Sequence, residues 1–197
     1  VATETLSTPP IGVAEKPLRA DAQRNYDRIV EVACEAFSEH GVQTSLDDIA
    51  KRAGVGAGTL YRHFPNRECL LAAALVESRQ ALDQKAEELL ARPDAGEALN
   101  EWLIELARHL SSYDGLPDSV AEAVNDCDSP LTAPCGLMKD ATAALLVRAQ
   151  DAGAVRTDVK ADDLFVFASS LAWAANKSGY SRDDLRRVLN LFLAGLR

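Results

Sequence analysis

The sequence has no excess of positive charge. Lys and Arg number 21 against 30 Asp and Glu, leaving −9 at pH 7, so the chain as a whole lacks the basic footprint of a protein coated in nucleic acid. Long apolar runs are missing too. The longest, Leu164 to Ala175, is broken by Ser169 and Ser170 and falls well short of the ~20 residues a membrane-spanning helix needs. No charged-then-apolar segment reads as a secretion signal. The four cysteines, Cys34, Cys69, Cys127 and Cys135, are scattered over 197 residues, unlike the disulfide framework of a small secreted domain. Cys127 and Cys135 flank a proline-containing loop (CDSPLTAPC) with no basic neighbour to activate a thiolate. His40, His63 and His109 stand far apart and share no metal-ligand spacing with any cysteine. There is no G-x-S-x-G, no P-loop and no strand-borne G-x-G-x-x-G. The expectation is a soluble, cytoplasmic protein without metal or cofactor, and no clustered catalytic spacing marks it as an enzyme.

What is present is uneven charge and helical rhythm. Residues 16–67 carry eight Lys/Arg against seven Asp/Glu, whereas residues 68–197 carry thirteen against twenty-one. A near-neutral head on an acidic body suggests two parts with different partners. Residues 1–18 hold three prolines and no periodicity, the pattern of a mobile tail. Tyr26, Ile29, Val30, Ala33, Ala36 and Phe37 then share one face of a helix from about Asp21 to His40, stopped by Gly41. Ser45 is placed to cap a short helix with Leu46, Ile49, Ala50 and Ala53 inside, ended by Gly54. A third helix is expected over Ala57–His63. A fourth starts after Asn66 and runs toward Leu90. Further stripes fall at Ala98–Leu110, Leu137–Ala152, Asp162–Asn176 and Leu185–Leu196, with Tyr113 to Pro134 the least regular stretch. No alternating strand pattern competes with these helices. The fold class read from this is all-α, with a tail at 1–18, a head at 19–67 and a helical body at 68–197.

In the head, a short helix, a glycine turn and a second short helix have definite steric needs. Ala50 supplies the small residue where the helices cross, Gly54 the tolerance of positive φ, and Leu60 the apolar residue returned to the joint. In a helix-turn-helix the second of these helices enters the major groove. The spacing alone also fits an ordinary αα-hairpin.

The run from Thr44 to Leu70, TSLDDIAKRAGVGAGTLYRHFPNRECL, resembles the TetR family of bacterial regulators. That family's pattern is roughly T-T-[VL]-x-[DE]-I-A-x-x-A-G-V-[ST]-x-G-[TS]-[LI]-Y-x-[HY]-F-x-[SN]-[KR]-E-x-L. The agreement covers about residues 21–75. Beyond it the likeness lies in length and helical rhythm, closest to TetR/AcrR members with an A-G-A-V-R-x-D-V turn, here Ala152 to Val159, before two apolar helices. The resemblance implies DNA contacts from Thr44 and Ser45, from Gly56, Ala57, Gly58 and Thr59 at the front of the second short helix, and from Tyr61, His63 and Arg67. Thr44 and Ser45 would meet phosphate at a helix start. Gly58 and Thr59 would approach base edges, while Tyr61, His63 and Arg67 would hold the backbone. Tyr61 as a packing residue and His63, Arg52 and Arg62 as solvated surface residues remain open readings. Gly56 replaces the family's Ser or Thr cap, and Ala57 stands where many members carry a base. The arm residues Lys16 and Arg19 could add a minor-groove contact.

For the body the resemblance implies dimerisation and a small-molecule pocket. Leu164, Phe165, Phe167, Ala168, Leu171, Ala172 and Ala175, with the Leu185 to Leu196 stripe, exceed what one bundle face needs, and a homodimer built on the last two helices would use the surplus. Trp102, Leu106, His109, Tyr113, Met138, Phe165 and Trp173 are the expected ligand-binding residues. Any of them could equally be plain core, and His109 a satisfied histidine. The whole reads as a dimeric regulator, a repressor binding a palindromic double-stranded operator and released by an unidentified small-molecule inducer. The rival is a helical ligand-binding protein that has lost specific DNA binding.

Overall fold

The computed structural model describes residues 20–123 and 128–195, the side chains of residues 122 and 123 excepted. Lys16, Arg19, Cys127 and Leu196 lie outside the described residues. Within them the secondary structure is helical, with no strand. The helices are α1 (Ala20–His40), α2 (Leu46–Ala53), α3 (Ala57–His63), α4 (Arg67–Ser78) and α5 (Gln80–Leu90). The body continues with α6 (Ala95–Leu110), α7 (Leu116–Ala123), α8 (Thr132–Asp151), α9 (Ala161–Ser178) and α10 (Arg182–Ala194).

The ends of these helices follow from their sequences. The Ser45 hydroxyl accepts the Asp48 N–H at 3.4 Å and the Asn66 amide oxygen accepts the Cys69 N–H at 2.8 Å, so α2 and α4 each begin on a capped donor. Gly54 ends α2 at φ 70°, donating to Lys51 O, while Val55 donates to Ala50 O; this left-handed exit is one a β-carbon would resist. The Arg28 guanidinium donates to the Ala53 carbonyl at the same end.

Two expectations change. The fourth helix does reach Leu90, but as α4 and α5 with a one-residue step at Arg79, where the backbone keeps helical angles (φ −79°, ψ −20°). Ser78 Oγ donates back to Leu75 O at 3.3 Å, the kind of side-chain insertion that bends a helix. Within the stretch read as least regular, α7 forms and α8 starts at Thr132, five residues before the expected Leu137. Prolines caused the misreading. Pro117 and Pro134 both sit in the first turn of a helix, where the missing N–H has no partner to lose.

Packing centres on α6, whose face is almost wholly buried from Ala98 to Leu110. It is surrounded by α5, α8, α9 and α10, while α7 lies on α9 and α4 packs against α1. One continuous apolar core runs from head to body. Trp102 is buried in it with its indole N–H donated to Thr142 Oγ1 at 2.9 Å, and that hydroxyl donates onward to Met138 O at 2.8 Å. Leu164, Phe165, Ala168, Leu171, Ala172 and Ala175 are buried in the chain's own core, as are Leu185 and Leu189. They are therefore not a surplus awaiting a second copy. The sequence reading missed that α9 is covered on three sides by α6, α7 and α8.

Candidate nucleic-acid interface

The head is held together by Ile49, Ala50, Ala53 and Leu60, all 0–2% exposed. That small core sets α3 across α2 and leaves the front of α3 in solvent. Gly56, Ala57 and Gly58 are exposed there, with Thr59 half-buried. A β-carbon at Gly56 or Gly58 would meet nothing within 4 Å, and neither has positive φ. Packing and backbone angle thus do not require glycine at 58, although glycine in a helix costs about 1 kcal/mol relative to alanine.

Tyr61 projects from α3 with 45% of its surface exposed. His63 is half-buried, its ring edge-on to Tyr26 at 6.1 Å between centroids, and Tyr26 lies against Phe64 at 5.0 Å. Ser45 is exposed at the start of α2. Thr44 is half-buried, and its hydroxyl donates inward to Gly41 O at 2.8 Å, with Ala36 O a second acceptor at 3.3 Å. Arg67 also turns inward, its Nη1 lying 2.5 Å from both Val42 O and Thr44 O. Arg52 is engaged by Glu39 at 2.9 Å and Glu35 at 3.6 Å. The cations of the described head that lack a protein partner are Lys51 on α2 and Arg62 on α3, both exposed. Lys51 escaped notice in the sequence because its freedom depends on which carboxylates its neighbours capture.

Head and body meet at a close contact. Gly41 (φ 77°) in the α1–α2 turn lies against Asp114, Gly115 (φ 83°) in the α6–α7 loop lies against Val42, and Val42 N–H donates to Asp114 O at 2.8 Å. A β-carbon on Gly41 would lie 2.8 Å from that carbonyl oxygen, and one on Gly115 would lie 2.9 Å from Val42 Cγ2. The loop is tied to the end of α9 by Asn176, which donates to Tyr113 O at 3.4 Å, and by Lys177, 3.7 Å from the Asp114 carboxylate.

Of the seven residues expected around a ligand, Trp102, Leu106, His109, Tyr113 and Met138 are buried in packed core. Tyr113 stacks edge-on to Phe37, and burial pushes its hydroxyl up to about 12. His109 is pushed down to about 4 by burial, with Arg108 and Arg79 adding to the shift, so the imidazole is neutral at pH 7. Phe165 and Trp173 come together at a cavity of about 410 Å³ between α7 and α9, also lined by Pro117, Val120, Val166 and Ser169. The α7 wall was missed in the sequence, although Leu116-Pro117 with Val120 one turn on is a legible helix start. A second cavity of about 580 Å³ lies between α6, α10 and the α8–α9 turn, and is lined by Asp94, Glu97, Asn100, Arg186 and Asn190 among others. Cys135 is buried and its thiol is raised to about 11, burial outweighing Lys139 one turn away. Among the described residues no cluster of His, Cys, Asp and Glu could hold a metal, and no helix is long and apolar enough to cross a membrane.

Residues 29–74 match the family described as bacterial regulatory proteins, tetR family. Residues 94–197, more than half of the chain, match the C-terminal domain described as transcriptional regulator SbtR-like. The chain belongs to the TetR family. A solved TetR transcriptional regulator from Streptomyces coelicolor is 34% identical, covering 87% of this chain and 98% of that one with a TM-score of 0.59. HTH-type transcriptional regulators of Staphylococcus aureus are 48% identical over 54 residues, 27% of this chain and 29% of theirs. The transcriptional regulator FadR from Bacillus subtilis, solved in complex with stearoyl-CoA, shares the fold at 21% identity and a TM-score of 0.63, covering 87% of this chain and 100% of that one. In this TetR-family chain the head residues from Thr44 to Arg67 fall within the N-terminal match, and both cavities fall within the C-terminal one.

Proposed function

We propose that the protein is a dimeric DNA-binding regulator, a repressor, that lays α3 in successive major grooves of a palindromic operator and leaves it when a small molecule occupies the body. The observation that carries this reading is the front of α3. Gly56, Ala57, Gly58 and Tyr61 are exposed there, and neither packing nor positive φ requires glycine at 58. A glycine that weakens its own helix without easing any contact in the chain suits close approach to a base edge. Ser45 and Thr59 flank this surface, and Tyr61 and His63 continue it. The contacts are assigned to these residues, to Thr44 through its backbone, and to Ala57 as a small apolar surface.

The dimer is assigned to what α9 and α10 leave uncovered. Val166 (51% exposed), Trp173 (47%) and Leu191 (69%) stand out, and Phe167 of α9 stacks on Phe192 of α10, both half-buried, at 3.7 Å between centroids. Two copies joined there would present two α3 helices to half-sites about one helical turn apart. The inducer is assigned to the α7–α9 cavity, because a mostly apolar hollow with the hydroxyls of Ser169 and Ser170 and the Asp118 carboxylate is ordinary ligand chemistry. Val166 and Trp173 line that cavity and also belong to the dimer face, so a ligand there would bear on how two copies meet.

One observation favours a second reading. The front of α3 carries no charge between Gly56 and Leu60, and Arg67 turns inward, as suits a ligand-binding protein without specific DNA binding. Light scattering and titration with duplex DNA separate the two. The regulator runs at twice 21.2 kDa and binds duplex with an affinity that falls with salt. A dimer with no affinity for duplex at ~50 mM salt would establish the rival.

A further inference from the structure

Arg67 opens α4, yet its side chain serves the turn between α1 and α2. That turn, residues 41–44, lies immediately before Ser45, the cap of α2, and carries carbonyls that no helix satisfies. Val42 O and Thr44 O both lie 2.5 Å from Arg67 Nη1. The two hydrogens on that nitrogen match the two acceptors, and buried or half-buried carbonyls need such partners. On its other side the Val42 N–H donates to Asp114 O in the body, so the two peptide groups of one residue are bonded from α4 and from the α6–α7 loop at once. Thr44 is held further by its own hydroxyl on Gly41 O.

From this geometry we infer that Arg67 is a positioning residue for DNA binding, bracing the turn that presents Thr44 and Ser45, while the phosphate charge contacts fall to the unpartnered Lys51 and Arg62. The inference rests on the DNA-binding reading above and assigns to Arg67 a role different from the one its place in the family pattern implies. The alternative is that Arg67 bonds the turn with Nη1 and a phosphate with its remaining N–H groups. Salt dependence distinguishes them, because each phosphate contact removed lowers the slope of log affinity against log salt by about 1, whereas a misplaced helix start lowers affinity without changing the count of displaced ions.

The experiment uses the full chain and the duplex that it enriches from a random pool. Affinities of wild type, Arg67→Met and Arg62→Ala are measured across a salt series, with amide hydrogen exchange read at residues 42–46. Arg67→Met is expected to weaken binding about tenfold, as loss of two hydrogen bonds would, with the slope unchanged and exchange at Thr44 and Ser45 accelerated. Arg62→Ala is expected to lower the slope by about 1. A slope lowered by about 1 in Arg67→Met, with exchange unchanged, would overturn the inference in favour of a phosphate contact. A folded Arg67→Met chain that binds at wild-type affinity would overturn it in favour of a purely structural residue. Should the methionine variant not fold, Arg67→Lys is read instead. It keeps the charge but not the paired hydrogens of a planar Nη1, so weaker binding at wild-type slope supports the brace and wild-type affinity overturns it. If the wild-type chain enriches no duplex, the DNA reading fails and this inference fails with it; a wild type that binds leaves the variants to decide the inference alone.

Discussion

The amide of Val42 donates to the carbonyl of Asp114 at 2.8 Å, joining the turn that leads into the helix-turn-helix to a loop of the body. The contact is close because residues 41 and 115 are both glycines at positive φ. Gly41→Ala would add a strained backbone, of order 1–2 kcal/mol, and a β-carbon 2.8 Å from the Asp114 oxygen. Urea unfolding should show a loss of about 2 kcal/mol or more, with amide exchange at Val42 faster than in wild type. Unchanged stability would mean that the two segments do not bear on each other.

Gly58→Ala should act in opposite directions on stability and binding. The added methyl meets nothing in the chain and removes the conformational cost of a helical glycine, so the free protein gains about 0.5–1 kcal/mol. Affinity for the enriched duplex should fall. Melting curves and binding titrations on the same preparation test both signs, and a variant that is stabilised and binds as well as wild type would place Gly58 away from the DNA.

His109 makes stability depend on pH. Its folded value of about 4 lies below the ordinary 6.5 because burial disfavours the imidazolium. The unfolded chain therefore binds the proton more readily, and stability falls as pH drops from about 6.5 through about 4. The full shift corresponds to roughly 3 kcal/mol. Denaturant midpoints at pH 7 and pH 4.5 should fall further apart for wild type than for His109→Gln, which cannot take up the proton. Equal differences would show that the histidine does not titrate this way.

Among the described residues Leu191 is the most exposed large apolar side chain, at 69%, and projects from α10. Leu191→Glu should leave the monomer's stability within about 0.5 kcal/mol, as surface changes do, yet shift light scattering from the dimeric toward the monomeric mass. A dimer of unaltered affinity would move the interface elsewhere.

The head was legible because its devices are local. Ser45, Gly54 and Asn66 act on groups three or four residues away, and the crossing of Ala50 and Leu60 is fixed by the short turn between them. Residues whose role depends on distant partners were not legible. Nothing in the neighbourhood of Arg67 shows that its guanidinium reaches back to Val42 and Thr44, 25 and 23 residues earlier. The same limit governs the body. Phe165 and Trp173 line a cavity, but Trp102 and Met138 have the same apolar character in sequence and are sealed together through Thr142. Helical periodicity shows which face of α9 is apolar, and cannot show how many neighbours will cover it.

On the proposed reading α3 recognises a specific, two-fold DNA sequence. The most direct measurement is selection of duplexes bound by the full chain from a random pool, at ~150 mM salt so that nonspecific phosphate attraction is weak. Enrichment of a palindrome whose half-sites lie about one helical turn apart is expected. A folded, dimeric sample that enriches no sequence would contradict it.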